Sequence, residues 1–129
     1  MTERQRISSA SPYEASIGFC RAIRVGDRVL VSGTAPIWPD GSCDPRAGRQ
    51  AERCVEIILD ALREAGAGAG DIVRTRVFLV DAADAEEVGS VLGRMLNDVR
   101  PASTMVVVAG LLDPRWRVEI EAEAVISKA

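Results

Sequence analysis

The stretch Trp116–Ile126 constrains this chain more than any other. Trp116, Val118, Ile120, Ala122, Ala124 and Ile126 alternate with a second set that includes Glu119, Glu121 and Glu123. Strict period-2 alternation describes a strand with one face in the core and the other turned away from it. Three carboxylates on one strand face repel one another unless cations answer them, so that face is either solvated or matched by arginines. Just upstream, Ser103–Ala109 follows Pro101 and is dense in valine, a second strand.

Working from the N-terminus, residues 1–16 read as a polar arm and residues 17–129 as one α+β domain. At 129 residues and 13.8 kDa the chain can build one core but not two. A strand is expected over Ile17–Arg24, followed by turn chemistry at Val25–Arg28 and a second strand at Val29–Thr34. Pro36, Pro39 and Asp40-Gly41 close that hairpin in a loop. Asp44-Pro45 signals a helix start, and Ala51, Cys54, Val55, Ile58, Leu62 and Ala65 follow at helical spacing, with Gly66 as the stop.

Gly66, Gly68 and Gly70 form a G-x-G-x-G, but it closes a helix and precedes a strand. Dinucleotide loops have the reverse order, so this one is a cap and turn. Ile72–Val80 is the third strand, with Val73, Thr75, Val77 and Leu79 on one face and Ile72, Arg74, Arg76 and Phe78 on the other. A second helix runs over Ala83–Leu96, capped by Asp81 or Asp84. The order is strand-strand-helix-strand-helix-strand-strand, a mixed sheet with two helices on one face. The opposite face carries Phe19, Arg21, Arg74, Arg76, Phe78, Glu119 and Glu121, too apolar to stand bare in a monomer. Self-association is the economical way to cover it.

Composition removes several kinds of function. A net charge of −3 argues against a nucleic-acid surface. With no histidine, Ser-His-Asp and Cys-His catalysis fall away, as do most zinc sites. Neither a metal nor an organic cofactor is expected. Cys20, Cys43 and Cys54 form no C-x-x-C pair, and free thiols suit a reducing cytosol. The N-terminus is polar from its second residue, unlike a signal peptide, and no apolar run is long enough to span a bilayer. A cytoplasmic protein without membrane contacts is expected.

Gly18-Phe19, the V-S-G-x-x-P run at Val31–Pro36, Gly70–Phe78, Pro101-Ala102 and Val118–Ala122 together resemble the Rid (YjgF) superfamily of reactive-intermediate deaminases, also known as endoribonuclease L-PSP-like proteins. The resemblance implies a chorismate mutase-like fold, a homotrimer, and small-molecule clefts between subunits. It implies Glu119 as the catalytic carboxylate that positions or deprotonates water. Phe19, Gly33, Thr34, Ser103 and Thr104 match the ligand-binding positions. In the imine-deaminase branch an arginine follows P-A and grips the carboxylate of a 2-imino acid; here Ser103 stands in its place.

A hydroxyl offers one uncharged donor where a guanidinium offers a charged fork, so 2-imino-acid deamination is not the expected activity. The expectation is instead hydrolysis or tautomerisation of a small enamine, imine or carbonyl metabolite, the alternative being a non-catalytic metabolite-binding protein. Arg21 and Arg100 are the two candidates to replace the missing cation. From the residues alone, Glu119 is as well suited to pairing with Arg74 or Arg76 at an interface as to catalysis.

Overall fold

A computed structural model describes residues 3–9 and 11–127. Within it lie six strands and three helices: β1 (Arg4–Ile7), α1 (Pro12–Ile17), β2 (Ala22–Val25), β3 (Arg28–Thr34), α2 (Ala47–Glu64), β4 (Ile72–Leu79), α3 (Ala85–Leu96), β5 (Ala102–Val107) and β6 (Val118–Val125). The strands form one sheet in the order β1-β2-β3-β6-β4-β5. The β4–β5 pair is parallel and the others are antiparallel, so the sheet is mixed as expected. The last strand in sequence lies in the middle of the sheet. That placement explains why its inward residues, Val118, Ile120, Ala122 and Ala124, are all buried.

Helices α2 and α3 cover one face. The apolar stripe of α2 seats as its spacing predicts, with Ala51, Cys54, Val55, Ile58, Leu62 and Ala65 all inside. They meet Val29 and Val31 of β3, Ile120 and Ala122 of β6, and Val77 and Leu79 of β4 in one cluster. Gly66 ends the helix at φ +88°, where an L side chain is strained, and a Cβ there would come within 2.7 Å of the Arg24 guanidinium. Gly66→Ala is therefore expected to lower stability by about 1–2 kcal/mol, readable as a shift in the urea midpoint at constant slope. No helix among the described residues is long and apolar enough to cross a membrane.

Several expectations need correction. The segment expected as an arm is part of the domain: β1 pairs antiparallel with β2, and α1 follows it. Backbone pairing holds β1, since Ile7 is its single buried side chain and no alternation announces it. Residues 1, 2 and 10 of that segment, and 128–129 at the other end, lie outside the described residues. The strand expected over Ile17–Arg24 shrinks to β2, because Pro12–Ile17 is helical and Gly18 caps it at φ +89°.

Asp44 does not cap α2. It accepts from the Arg46 amide at 2.9 Å, making a turn two residues ahead of the helix, and Arg46 holds its carboxyl down at about 2. Asp81 caps a short 3-10 turn, accepting from the Ala83 amide, before α3 begins at Ala85. In β4 a register shift between Ile72 and Arg74 places Ile72 inside and leaves Val73 outside, the reverse of strict alternation. A bulge adds one residue and flips the parity of the residues beyond it.

Candidate functional site

Glu119 points away from the helices, as its place between buried Val118 and Ile120 requires. Its neighbours on the same face are answered by cations: Arg76 reaches Glu121 at 2.8 Å and Arg74 lies 3.5 Å from Glu123. Glu119 stands opposite Phe78 instead. Among the described residues no hydrogen bond or ion pair reaches its carboxylate. Within the chain Glu121 and Glu123 hold Arg76 and Arg74, so neither arginine pairs with Glu119 inside one protomer.

Across the β3–β6 seam the ladder breaks. Val31 pairs with Ala122 and Thr34 with Ile120, with a register shift between them that carries Ser32 and Gly33. The Glu119 carboxylate lies over Gly33 so closely that a Cβ at that position would collide with Glu119 Oε2. Glycine is needed here for the close approach and not for its dihedral freedom.

Behind this seam lies Arg21, only 5% exposed. Its Nη2 donates to the Gly33 carbonyl at 2.5 Å, and its guanidinium carbon lies 5.7 Å from the centroid of the Phe19 ring. Burial lowers the affinity of Arg21 for its proton, while the negative fields of Glu14 and Glu119 restore part of it. Glu14 is itself buried and accepts from the Ser9 amide at 3.0 Å and from the Ser9 hydroxyl. The pKa of Glu119 is raised, first by burial; Arg21 opposes that shift and Glu121 adds to it. A half-buried, unpaired carboxylate with raised proton affinity can take a proton from water more readily than an exposed one.

The expected ligand positions fall into two groups. Phe19, Gly33 and Glu119 gather around the seam. Thr34 lies beside them, but its side chain is fully buried and its hydroxyl donates to the Ser32 carbonyl at 2.8 Å, so only its backbone can meet a ligand. Ser103 and Thr104 lie on β5, with β4 between them and β6. Ser103 shares the helix-side face with its partner Thr75, whose hydroxyl donates to it at 2.9 Å. Together with Arg100 it lines a small cavity of about 210 Å³ beside the end of α3. One protomer does not bring the two groups together.

Sequence reasoning places Tyr13-Glu14 in the polar arm, either folded over a cleft or disordered; the structure puts Glu14 on a short helix and buries it. The signal was present: Ser11-Pro12 is a helix start and Gly18 a stop, and a helix there puts Glu14 on the side facing Ser9. Among the described residues no cluster of His, Cys, Asp and Glu could hold a metal ion.

A sequence model of the endoribonuclease L-PSP family matches residues 8–126. An uncharacterised protein of Streptomyces coelicolor is 38% identical over 123 residues, covering 93% of this chain and 90% of its own. The 2-iminobutanoate/2-iminopropanoate deaminase of Salmonella typhimurium is 33% identical over 117 residues, covering 86% and 90%. Among solved structures, a Mycobacterium tuberculosis member of the YjgF/YER057c/UK114 family superposes with a TM-score of 0.89 at 35% identity, covering 96% of this chain and all of that one. The motifs, the sheet order and these relatives agree, and the chain belongs to the endoribonuclease L-PSP family of the Rid/YjgF superfamily.

Proposed function

We propose that this protein is a homotrimeric enzyme that hydrolyses or tautomerises a small enamine, imine or carbonyl-type metabolite in clefts between subunits, with Glu119 as general base. The observation that carries this reading is the free Glu119 carboxylate, half-buried against Gly33 while its neighbours on β6 are neutralised. For an imine, Glu119 takes a proton from water as the water oxygen bonds to the imine carbon, and returns it to the nitrogen that receives the C=N electron pair, giving the carbinolamine. The carbinolamine hydroxyl then gives its proton to Glu119, which passes it to nitrogen as the C–N bond breaks, releasing the carbonyl product and ammonia or amine. Ser103 and Thr104 of a neighbouring subunit complete the cleft from the other side. The exposure of the whole of β5 supports that arrangement.

Ser103 sets the substrate limits. The Salmonella relative is a 2-imino-acid deaminase by name, but a serine hydroxyl cannot supply a charged bidentate grip on a carboxylate. Purified protein is expected to leave the hydrolysis of 2-iminopropanoate and 2-iminobutanoate near the uncatalysed rate in a coupled assay for ammonia release. Strong acceleration of both would mean that Arg21 or Arg100 reaches the substrate.

The reading as a whole is tested by a panel of small uncharged imines and enamines generated in situ, with wild type beside Glu119→Gln. Saturable turnover that depends on Glu119 supports it. Ligand-induced thermal stabilisation without turnover on any member would instead assign a metabolite-binding protein of the same fold.

A further inference from the structure

A second cavity lies on the helix side of the sheet and shares no wall with Phe19, Gly33 or Glu119. It is lined by Ile7–Ser9, Ser11 and Pro12, the loop after β3 and the outer turns of α2, and has a volume of about 440 Å³. That is within the range of about 300–1,000 Å³ typical of small-molecule sites. Ile37, Trp38 and Ile57 make its apolar walls. Trp38 is fixed there by Arg49, whose guanidinium carbon lies 5.2 Å from the ring centroid.

The cavity also meets Arg21. The one hydrogen bond this guanidinium makes among the described residues runs from Nη2 to Gly33, and its Nε is buried with no partner. A buried charged donor left unsatisfied is costly, so Arg21 is ready to receive an acceptor that enters the cavity. Arg53 adds a second positive charge to the wall, with its Nε held by the Ile37 carbonyl at 2.9 Å. Asp60 and Glu64, both exposed, also line the cavity. Those two carboxylates disfavour a dianion such as phosphate, while the apolar walls disfavour a fully polar guest.

We infer that this cavity binds a small organic monocarboxylate with a flat or branched apolar body, its carboxylate on Arg21 and its body between Trp38 and Ile57. The site is separate from the Glu119 cleft and does not depend on the activity proposed there. It gives Arg21 the acceptor that the protein itself withholds, and it buries the apolar walls on both sides of the guest.

The test uses the full-length protein in its native assembly and 3-phenylpropanoate as probe, with 3-phenylpropanamide as the uncharged control. Titration calorimetry and the NMR signal of the Trp38 indole report binding. The acid is expected to bind at least about tenfold more tightly than the amide and to shift the Trp38 signal. Ile57→Trp fills the cavity from the half-exposed face of α2 and should weaken the acid by at least about tenfold without touching the core. Glu119→Gln should not weaken binding, because it removes a negative charge whose field reaches Arg21. Arg21→Lys, whose folding is checked by its own melting curve, should also weaken binding, because a lysine has no guanidinium fork. The inference is overturned by no binding of the acid, by equal binding of acid and amide, or by binding that survives Ile57→Trp and disappears in Glu119→Gln.

Discussion

Phe78→Asp is expected to dissociate the assembly or unfold the chain, which light scattering would show as loss of a species of three times the protomer mass. Phe78 lies on the face of β4 away from the helices, opposite Glu119 on one side and Val106 on the other. All six residues of β5 are exposed, and Val106 and Val107 are 42% and 54% exposed. A long apolar edge strand left open invites pairing with other chains, so a stable protein covers it. In the proposed trimer a carboxylate at position 78 would lie in that covered region beside Glu119, without a cation to spare. Burying it unpaired costs on the order of several kcal/mol, comparable with the whole margin of about 5–15 kcal/mol. A wild-type protein that scatters as a monomer at micromolar concentration would rule out a cleft between subunits.

Glu119→Gln should cost about 10²–10⁴-fold in turnover, the range for loss of a general base. Its effect on stability carries equal information because it has a sign. A group whose proton affinity is raised by folding binds more protons in the native state than in the unfolded one. Its contribution to stability is then fully present below the ordinary glutamate range and is lost as pH rises from there through the raised native value. At neutral pH the charged form is a burden on the fold, so the amide should melt at a higher temperature than wild type. The gain should vanish in acid, where wild type is protonated too. An ion-paired glutamate would behave in the opposite way, losing stability on substitution at neutral pH because the partner arginine is left behind. Melting curves of both proteins across that pH window decide between the two.

Much of the fold was legible in the chain because two of its segments repeat cleanly. Strand β6 alternates along its whole length, since a central antiparallel strand covered on one face has only one way to sort its side chains. Helix α2 shows its buried stripe for the same reason at helical period. Strand β1, by contrast, reads Arg4-Gln5-Arg6-Ile7 and carries no pattern, because an edge strand can be held by backbone bonds alone. The bulge that turns Ile72 inward and Val73 outward is equally silent, since a bulge changes parity without changing composition. The same holds at the site. Resemblance pointed to Glu119 and Gly33, but only the broken β3–β6 register shows that the carboxylate needs the glycine's missing side chain. Arg21 was readable as a candidate to replace the missing cation. Its burial, its bond to Gly33 and its place between the cleft and a second cavity are products of the fold.

The most direct test of the central claim, that Glu119 is a free and partly desolvated carboxylate, is its own titration. Carbon-13 labelling of glutamate side chains, with Glu119→Gln to assign the signal, would follow the Glu119 carboxyl by NMR through the acid range. The midpoint is predicted above the ordinary glutamate value of about 4.3, because burial outweighs the attraction of Arg21. A midpoint at or below that value would show a solvated or ion-paired carboxylate, and would contradict the assignment of Glu119 as the catalytic base.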